Sequence, residues 1–254
     1  MLVDTHAHLN DEQFNEDRNV VIQRAKEAGI DTIINIGYNK ETILSTLDLI
    51  NQYDFIFGAI GWHPNHAHEM TDEDLDWIEK LTDHPKILAI GEIGLDYYWD
   101  YAPKEIQQMV FRKQIQMAKR VQLPIIIHDR DAHSDICTIL KEEGAKEVGG
   151  IMHSFSGSLE MAKECIELGF YISFSGPVTF KNAKKPKETA KEIPLERILV
   201  ETDSPYLTPE PFRGKRNESA YVRYVAQKIA ELREMDFEKF QEITSENARR
   251  ILRF

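Results

Sequence analysis

The chain has 254 residues, 42% of them hydrophobic, and a formal net charge of −12. That length suffices for one large core. The charge argues against non-specific attraction to nucleic acid over the whole surface, and no apolar run approaches the roughly 18 residues of a membrane helix. Met1 leads straight into an apolar strand, without the basic and long hydrophobic regions of a secretion signal. A soluble cytoplasmic protein is therefore expected, with no membrane partner and a monomeric state. Cys137 and Cys165 lie in amphipathic stretches without metal-ligand spacing and read as reduced packing residues.

The first strand opens the chain and carries His6 and His8, two residues apart and so on one face. Asn15, Glu16 and Asp17 start a helix that runs to about residue 28, with Gly29 as its stop. A strand over 31–37, a helix over 40–50 and a strand over 55–61 follow. After a loop rich in histidine, Thr71 caps a helix reaching about residue 81. The fourth strand spans 86–92, and Pro103 opens a long helix to residue 120 or 121. Strands over 124–128, 149–153, 170–174 and 197–203 alternate with helices over 133–142, 159–168 and 187–191. A Pro-, Gly- and base-rich loop over 204–217 precedes a helix over 218–234. Two short closing helices, 237–243 and 245–252, complete the chain, Thr244 and Ser245 serving as caps.

Eight short strands alternating with helices, several of them continuous apolar runs, imply a parallel sheet covered on both faces. A single-domain TIM-type (β/α)8 barrel with extra C-terminal helices over 1–254 accounts for the count and the length. A doubly wound sheet is the alternative, because periodicity does not establish closure.

A polar pattern emerges once the strands are placed. His6 and His8 leave the first strand, Glu92 the fourth, His128 the fifth, His153 the sixth and Asp203 the eighth. In a barrel these ends converge at one mouth. Nitrogen and carboxylate donors without thiolate suit Zn, Mn, Fe, Co or Mg. Glu92, central among the donors, can bridge two ions, the arrangement used for hydrolysis by paired metals. Asp203 can contact one ion and orient or deprotonate the attacking water. His63 and Arg130 are candidates for substrate phosphate. Asp4, in step with His6 and His8, reads as an orienting or donor-satisfying group, and Glu201 as the partner of an internal basic group. Asp96 reads as holding a neighbouring donor. His66 and His68 read as solvated, and Trp62 and Tyr97 as faces on which bases can stack. Arg213, Lys215 and Arg216 serve either substrate phosphate or internal salt bridges.

These residues closely resemble the TatD family of metal-dependent deoxyribonucleases, within the amidohydrolase-like metallohydrolases. The resemblance spans nearly the whole chain. It is carried by Val3-Asp4-Thr5-His6-Ala7-His8, Gly61-Trp62-His63-Pro64, Gly91-Glu92-Ile93-Gly94-Leu95-Asp96, His128-Asp129-Arg130, His153-Ser154-Phe155-Ser156-Gly157, Glu201-Thr202-Asp203-Ser204-Pro205 and Arg213-Gly214-Lys215-Arg216-Asn217-Glu218, in that order. It implies a distorted barrel with one or two divalent ions. His6, His8, Glu92 and Asp203 match one metal site; Glu92, His128 and His153 match the other. The implied activity is phosphodiester hydrolysis of DNA, including exonuclease action on single-stranded or frayed ends. Mg or Mn is the implied metal of activity, and Zn, Fe, Co or Ni can occupy crystals. Asp129 replaces a common Ser and Ser219 a common Pro, which affects loop shape rather than donors. The alternatives are ester, lactone or amide hydrolysis by the same chemistry, and a noncatalytic DNA- or metal-binding barrel.

Overall fold

Isoleucine-rich strands of three to ten residues, too short and too apolar to leave a face in water, pair in chain order. The computed structural model describes residues 1–99 and 101–254. Its strands are β1 (Leu2–Ala7), β2 (Ile30–Gly37), β3 (Ile56–Ile60), β4 (Ile87–Asp96), β5 (Ile125–Arg130), β6 (Gly150–Met152), β7 (Phe170–Phe174) and β8 (Ile198–Val200). They form one eight-stranded sheet in the order β1 to β8, every neighbouring pair parallel. Helices α1 (Arg18–Glu27), α2 (Lys40–Gln52), α3 (Asp72–Leu81), α4 (Lys104–Val121), α5 (His133–Glu142), α6 (Leu159–Glu167), α7 (Lys184–Glu192) and α8 (Val222–Leu232) link the strands or follow β8, and α9 (Phe237–Leu252) closes the set.

The sheet curls until its ends meet. Ala7 bridges Ser204, the Asp203 amide donates to the His6 carbonyl at 2.9 Å, and the His8 amide donates to the Ser204 carbonyl at 2.8 Å. The result is the nearly closed TIM barrel that the alternation of elements implies, and the doubly wound alternative is set aside. Side chains such as Val3, Ile34, Leu88, Ile126 and Leu199 fill the barrel interior. A larger apolar layer, including Ile33, Ile90, Phe111 and Val225, lies between strands and helices. Each fully buried Ile or Phe contributes roughly 1.5–3 kcal/mol of hydrophobic transfer.

The closing segment differs from the expectation of two short helices. α9 is continuous and begins at Asp236, whose carboxylate accepts the Lys239 amide at 3.0 Å. Ser245 does not cap. Phe240, Thr244, Ala248 and Leu252 line one buried face at helical spacing, and the Ser245 hydroxyl donates instead to the Met1 carbonyl at 2.9 Å. Asn247 donates to the carbonyls of Leu195 and Ile198, both at 3.0 Å. α9 thus covers the end of the barrel where β1 and β8 begin. At the other helix boundaries, α1 starts at Arg18 rather than near Asn15, because Glu12–Phe14 forms a separate short turn that buries Phe14. α8 starts at Val222 after a turn at Ser219–Tyr221. Cys137 on α5 and Cys165 on α6 are free, buried thiols, as their amphipathic setting implied.

Candidate active site

Two irregularities aim the donors. In β1, Asp4 pairs with Ile33 of β2 but Ala7 with Asn35, so β1 holds one residue more than its partner between those pairs. An extra residue reverses the alternation of faces beyond it. His6 and His8 therefore point into the barrel, while Asp4 lies on the opposite face. The expectation that Asp4 is in step with the histidines is corrected by this bulge. Its carboxylate instead accepts the Thr202 amide at 2.8 Å and the Thr202 hydroxyl at 2.7 Å, the donor-satisfying role foreseen for it. Burial pushes the Asp4 carboxyl up to about 7.

β4 repeats the device. Ile90 pairs with Ile125 but Ile93 with Ile127, so a second bulge lies at Gly91 and Glu92. The strand continues to Asp96 rather than ending at Glu92, which puts Glu92 and Asp96 on the interior face. β8, by contrast, ends at Val200, before the expected Asp203. Asp203 sits in the left-handed region, with φ of 56°. That conformation is uncommon for a residue other than glycine and is held here by the hydrogen bond to His6 across the barrel seam.

Six side chains come together as a result. His6 Nε2 lies 3.2 Å from His8 Nε2, 3.3 Å from Glu92 Oε2 and 3.6 Å from Asp203 Oδ1. His8 Nε2 lies 3.3 Å from Asp203 Oδ1 and 3.9 Å from Glu92 Oε2. Donors about 2.05 Å from one ion stand about 3.3 Å apart in a tetrahedron and about 2.9 Å apart in an octahedron. The His6, His8 and Asp203 atoms lie close enough together to hold one cation, and Glu92 Oε2 approaches them from the His6 side.

The other Glu92 oxygen faces a second group. Glu92 Oε1 is 3.2 Å from His153 Nε2, 2.6 Å from His128 Nδ1 and 3.7 Å from His63 Nε2. The 2.6 Å contact is a hydrogen bond, too short for two ligands of one ion. This second set fits a cation once His128 gives up the proton it shares with Glu92. The His153 ring is fixed from behind, where Glu201 Oε1 accepts its Nδ1 proton at 2.8 Å and the Ser154 amide at 2.8 Å. Glu201 thus pairs with an internal basic group, as its sequence position allowed, and orients His153 as carboxylates orient ligand histidines. Asp96 Oδ2 binds His128 Nε2 at 3.0 Å, its expected role.

The electrostatics favour positive charge. Burial opposes a charged His128, but Asp96 and Glu92 outweigh it and lift its pKa to about 9. Burial likewise opposes a charged His153, yet Glu201 and Glu92 hold it well above the usual range. His8 is raised because Asp203 overcomes its desolvation, and Glu92 is held well below its usual range because the surrounding histidines overcome its own. Asp203 is lowered by His8 and His153 against its burial. Burial and the neighbouring His128 drive His63 down to about 3. His63 Nδ1 accepts the Asn65 amide at 3.1 Å, so the neutral ring carries its proton on Nε2, the nitrogen facing Glu92.

These groups line a cavity of about 750 Å3 at the barrel mouth, together with His63, Arg130 and Trp99. His66, expected to be solvated, also lines it and stacks on Tyr38 with ring centroids 6.0 Å apart; His68 is exposed, as expected. Trp62 and Tyr97 are not free faces. Trp62 is buried and its indole nitrogen donates to the His66 carbonyl at 2.8 Å. The Tyr97 hydroxyl donates to Asp135 at 2.6 Å, and Lys104 covers its ring at 4.1 Å. Of the basic loop, Arg216 pairs internally with Asp17 at 2.6 Å, and the Arg213 guanidinium lies over the Phe180 ring at 4.3 Å. The exposed aromatics Trp99 and Tyr206 at the mouth escaped the sequence reading; their place directly after two donor-bearing strand ends is the signal that marks them.

A family model described as TatD related DNase matches residues 3–253. The chain belongs to the TatD family. Among curated TatD-family relatives, a Bacillus subtilis protein described as the uncharacterized metal-dependent hydrolase YabD is 61% identical over 253 residues, covering 100% of this chain and 99% of that protein. An Erwinia tasmaniensis protein described as the 3'-5' ssDNA/RNA exonuclease TatD is 32% identical, covering 98% of this chain and 99% of that protein. The solved structure of YJJV, a TatD homolog from Escherichia coli K12, superposes with a TM-score of 0.94 at 30% identity, covering 100% of this chain and 98% of that one. The chain is accordingly a metal-dependent hydrolase with a TIM-barrel fold. Among the described residues no helix is long and apolar enough to cross a membrane.

Proposed function

We propose that this hydrolase cleaves phosphodiester bonds of DNA, removing nucleotides from single-stranded or frayed ends, with divalent ions held at the barrel mouth. The observation that carries the reading is the convergence of His6 Nε2, His8 Nε2 and Asp203 Oδ1 at ligand-to-ligand spacing, with Glu92 Oε2 3.3 Å from His6 Nε2. His6, His8, Glu92 and Asp203 would hold one ion, and Glu92, His128 and His153 a second. A divalent ion supplies Lewis acidity, stabilising charge on a phosphoryl oxygen and acidifying water. Asp203, ionised and at the edge of the cavity, orients the attacking water and accepts its proton. His63 presents its Nε2 proton to a non-bridging phosphate oxygen, and Arg130 offers its guanidinium fork to the phosphate chain. A cavity of about 750 Å3 framed by loops supports a reading in which the end of a strand enters the mouth. The printed activity of the Erwinia relative supports the same substrate class.

Protein stripped by a chelator, then assayed with added Mg, Mn and Zn, tests the proposal. Labelled single-stranded and duplex DNA, RNA, a simple phosphodiester, and a carboxylic ester and lactone serve as substrates, with Asp203→Ala as control. The expected result is nucleotide release from single strands that requires metal and falls about 100- to 10,000-fold in Asp203→Ala. Turnover that persists without metal overturns the mechanism, and turnover of esters or lactones alone favours the alternative hydrolase reading. The cytoplasmic monomer expected from the sequence belongs to the same proposal; cell fractionation and light scattering check it.

A further inference from the structure

Large aromatic side chains are costly to leave in water, so where a chain exposes them is informative. Among the described residues the exposed aromatics are Tyr98 at 56%, Trp99 at 43%, Tyr101 at 60% and Tyr206 at 47%. All of them sit on loops at the C-terminal mouth of the barrel: the first three between β4 and α4, the last after β8. The β4–α4 loop therefore concentrates exposed aromatic surface beside the candidate active site, and Trp99 itself lines the cavity.

Hydrogen bonds anchor both ends of the loop. Asp96 Oδ1 accepts the amides of Tyr98 and Trp99 at 3.0 and 3.1 Å, while its other oxygen binds His128. Gln107 donates to the carbonyls of Asp96 and Ala102, both at 2.9 Å, anchoring the base of the loop. One carboxylate thus fixes both a candidate ligand histidine and the aromatic loop, keeping the two in register. The Trp99 and Tyr101 rings lie at an interplanar angle of 24°, centroids 5.7 Å apart, and Tyr98 meets Trp99 edge-on. The Arg130 guanidinium stands 4.1 Å from the Tyr98 ring centroid and 5.6 Å from that of Trp99, and Arg130 lines the cavity with Trp99.

We propose that Trp99 and Tyr101 form a stacking platform for a nucleobase adjoining the phosphate at the candidate active site, with Arg130 facing the intervening backbone. The proposal rests on the phosphodiester reading above and names the recognition element that reading lacks. A net charge of −12 leaves little general attraction for a nucleic-acid backbone. Affinity for a strand must therefore come from local contacts, and every base offers a π-face that can extend a stacked aromatic pair on its outer side. The platform predicts tolerance of base identity and dependence on the presence of a base.

The test uses the metal-loaded protein and two phosphorothioate single strands that resist hydrolysis, one with ordinary bases and one with abasic sugars at its terminal nucleotides. Binding is read by fluorescence anisotropy. The wild type is expected to bind the ordinary strand roughly 5- to 150-fold more tightly than the abasic one, the span of base–aromatic stacking. Trp99→Ala and Tyr101→Ala should weaken binding of the ordinary strand and leave the abasic strand unchanged, and Trp99→Phe should restore most of the loss. Equal weakening on both strands, or no change on either, overturns the platform. Hydrolysis of ordinary phosphodiester strands is measured separately. The binding pattern without any metal-dependent hydrolysis would leave the platform standing and remove the nuclease reading, whereas hydrolysis without the pattern does the reverse.

Discussion

Glu201→Gln isolates the role of a residue that lies behind the donors. Glu201 is fully buried, and one of its oxygens accepts two protons, from His153 Nδ1 and the Ser154 amide, each at 2.8 Å. Glutamine keeps the shape and one acceptor oxygen but removes the charge. A hydrogen bond to a charged partner contributes about 1.5–3 kcal/mol and a neutral one about 0.5–1.5 kcal/mol. Two bonds weakened by about 1 kcal/mol each give about 2 kcal/mol, or roughly a 30-fold loss in equilibrium terms. That falls inside the roughly 10- to 100-fold range seen when partners of ligand histidines are removed. The assay is competition of the protein with a chromogenic chelator for Zn or Mn, alongside metal content and circular dichroism. The expected result is a weakened ion with native secondary structure retained. Wild-type metal affinity and stoichiometry in a folded Glu201→Gln protein would refute the reasoning and leave Glu201 as a packing group alone.

Gly94→Ala should be among the most damaging single-methyl additions. Gly94 has φ of 140°, and a Cβ there would meet the His128 carbonyl oxygen at 2.1 Å, so β5 must move; a loss of at least about 3 kcal/mol and of bound metal is expected, checked by denaturant unfolding and metal analysis. Phe111→Ala, in the apolar layer beneath β4, should cost about 3–5 kcal/mol and lower Tm by roughly 10 °C, by calorimetry, while nucleotide release per folded molecule at low temperature stays the same.

The barrel was legible because its strands are buried on both sides and therefore spell themselves out as apolar runs, separated by amphipathic stretches at the length of a helix. The meeting of the candidate donors at one mouth was legible because they fall at or just beyond the ends of those runs. What stayed hidden were features that depend on partners far along the chain. The one-residue bulges in β1 and β4 are visible only against β2 and β5, and they decide that Asp4 faces away while His6, His8 and Glu92 face in. Within the continuous α9, the Ser245 hydroxyl donates to the Met1 carbonyl, 244 residues away in sequence, rather than serving as a cap. Trp62 and Tyr97 looked like free aromatic faces beside motif residues, but their polar tips are tied down by His66 and Asp135. The exposed aromatics Trp99 and Tyr101 follow Tyr97 by only two and four residues in the same loop, a distinction that composition does not carry.

The seam between β1 and β8 sets an order of events during synthesis. His6 and His8 emerge from the ribosome well before Asp203, which follows them by almost 200 residues. An N-terminal fragment lacking residue 203 has no means of completing the four-donor group, however well its early strands have paired. Metal loading at the proposed group would therefore follow the emergence of Asp203, and a cation seated there would tie together segments almost 200 residues apart in sequence. Such a tie lowers the entropy of the opened chain in the same way as a long-range crosslink. The first strand is thus placed early but secured last, by the same closure that assembles the chemistry.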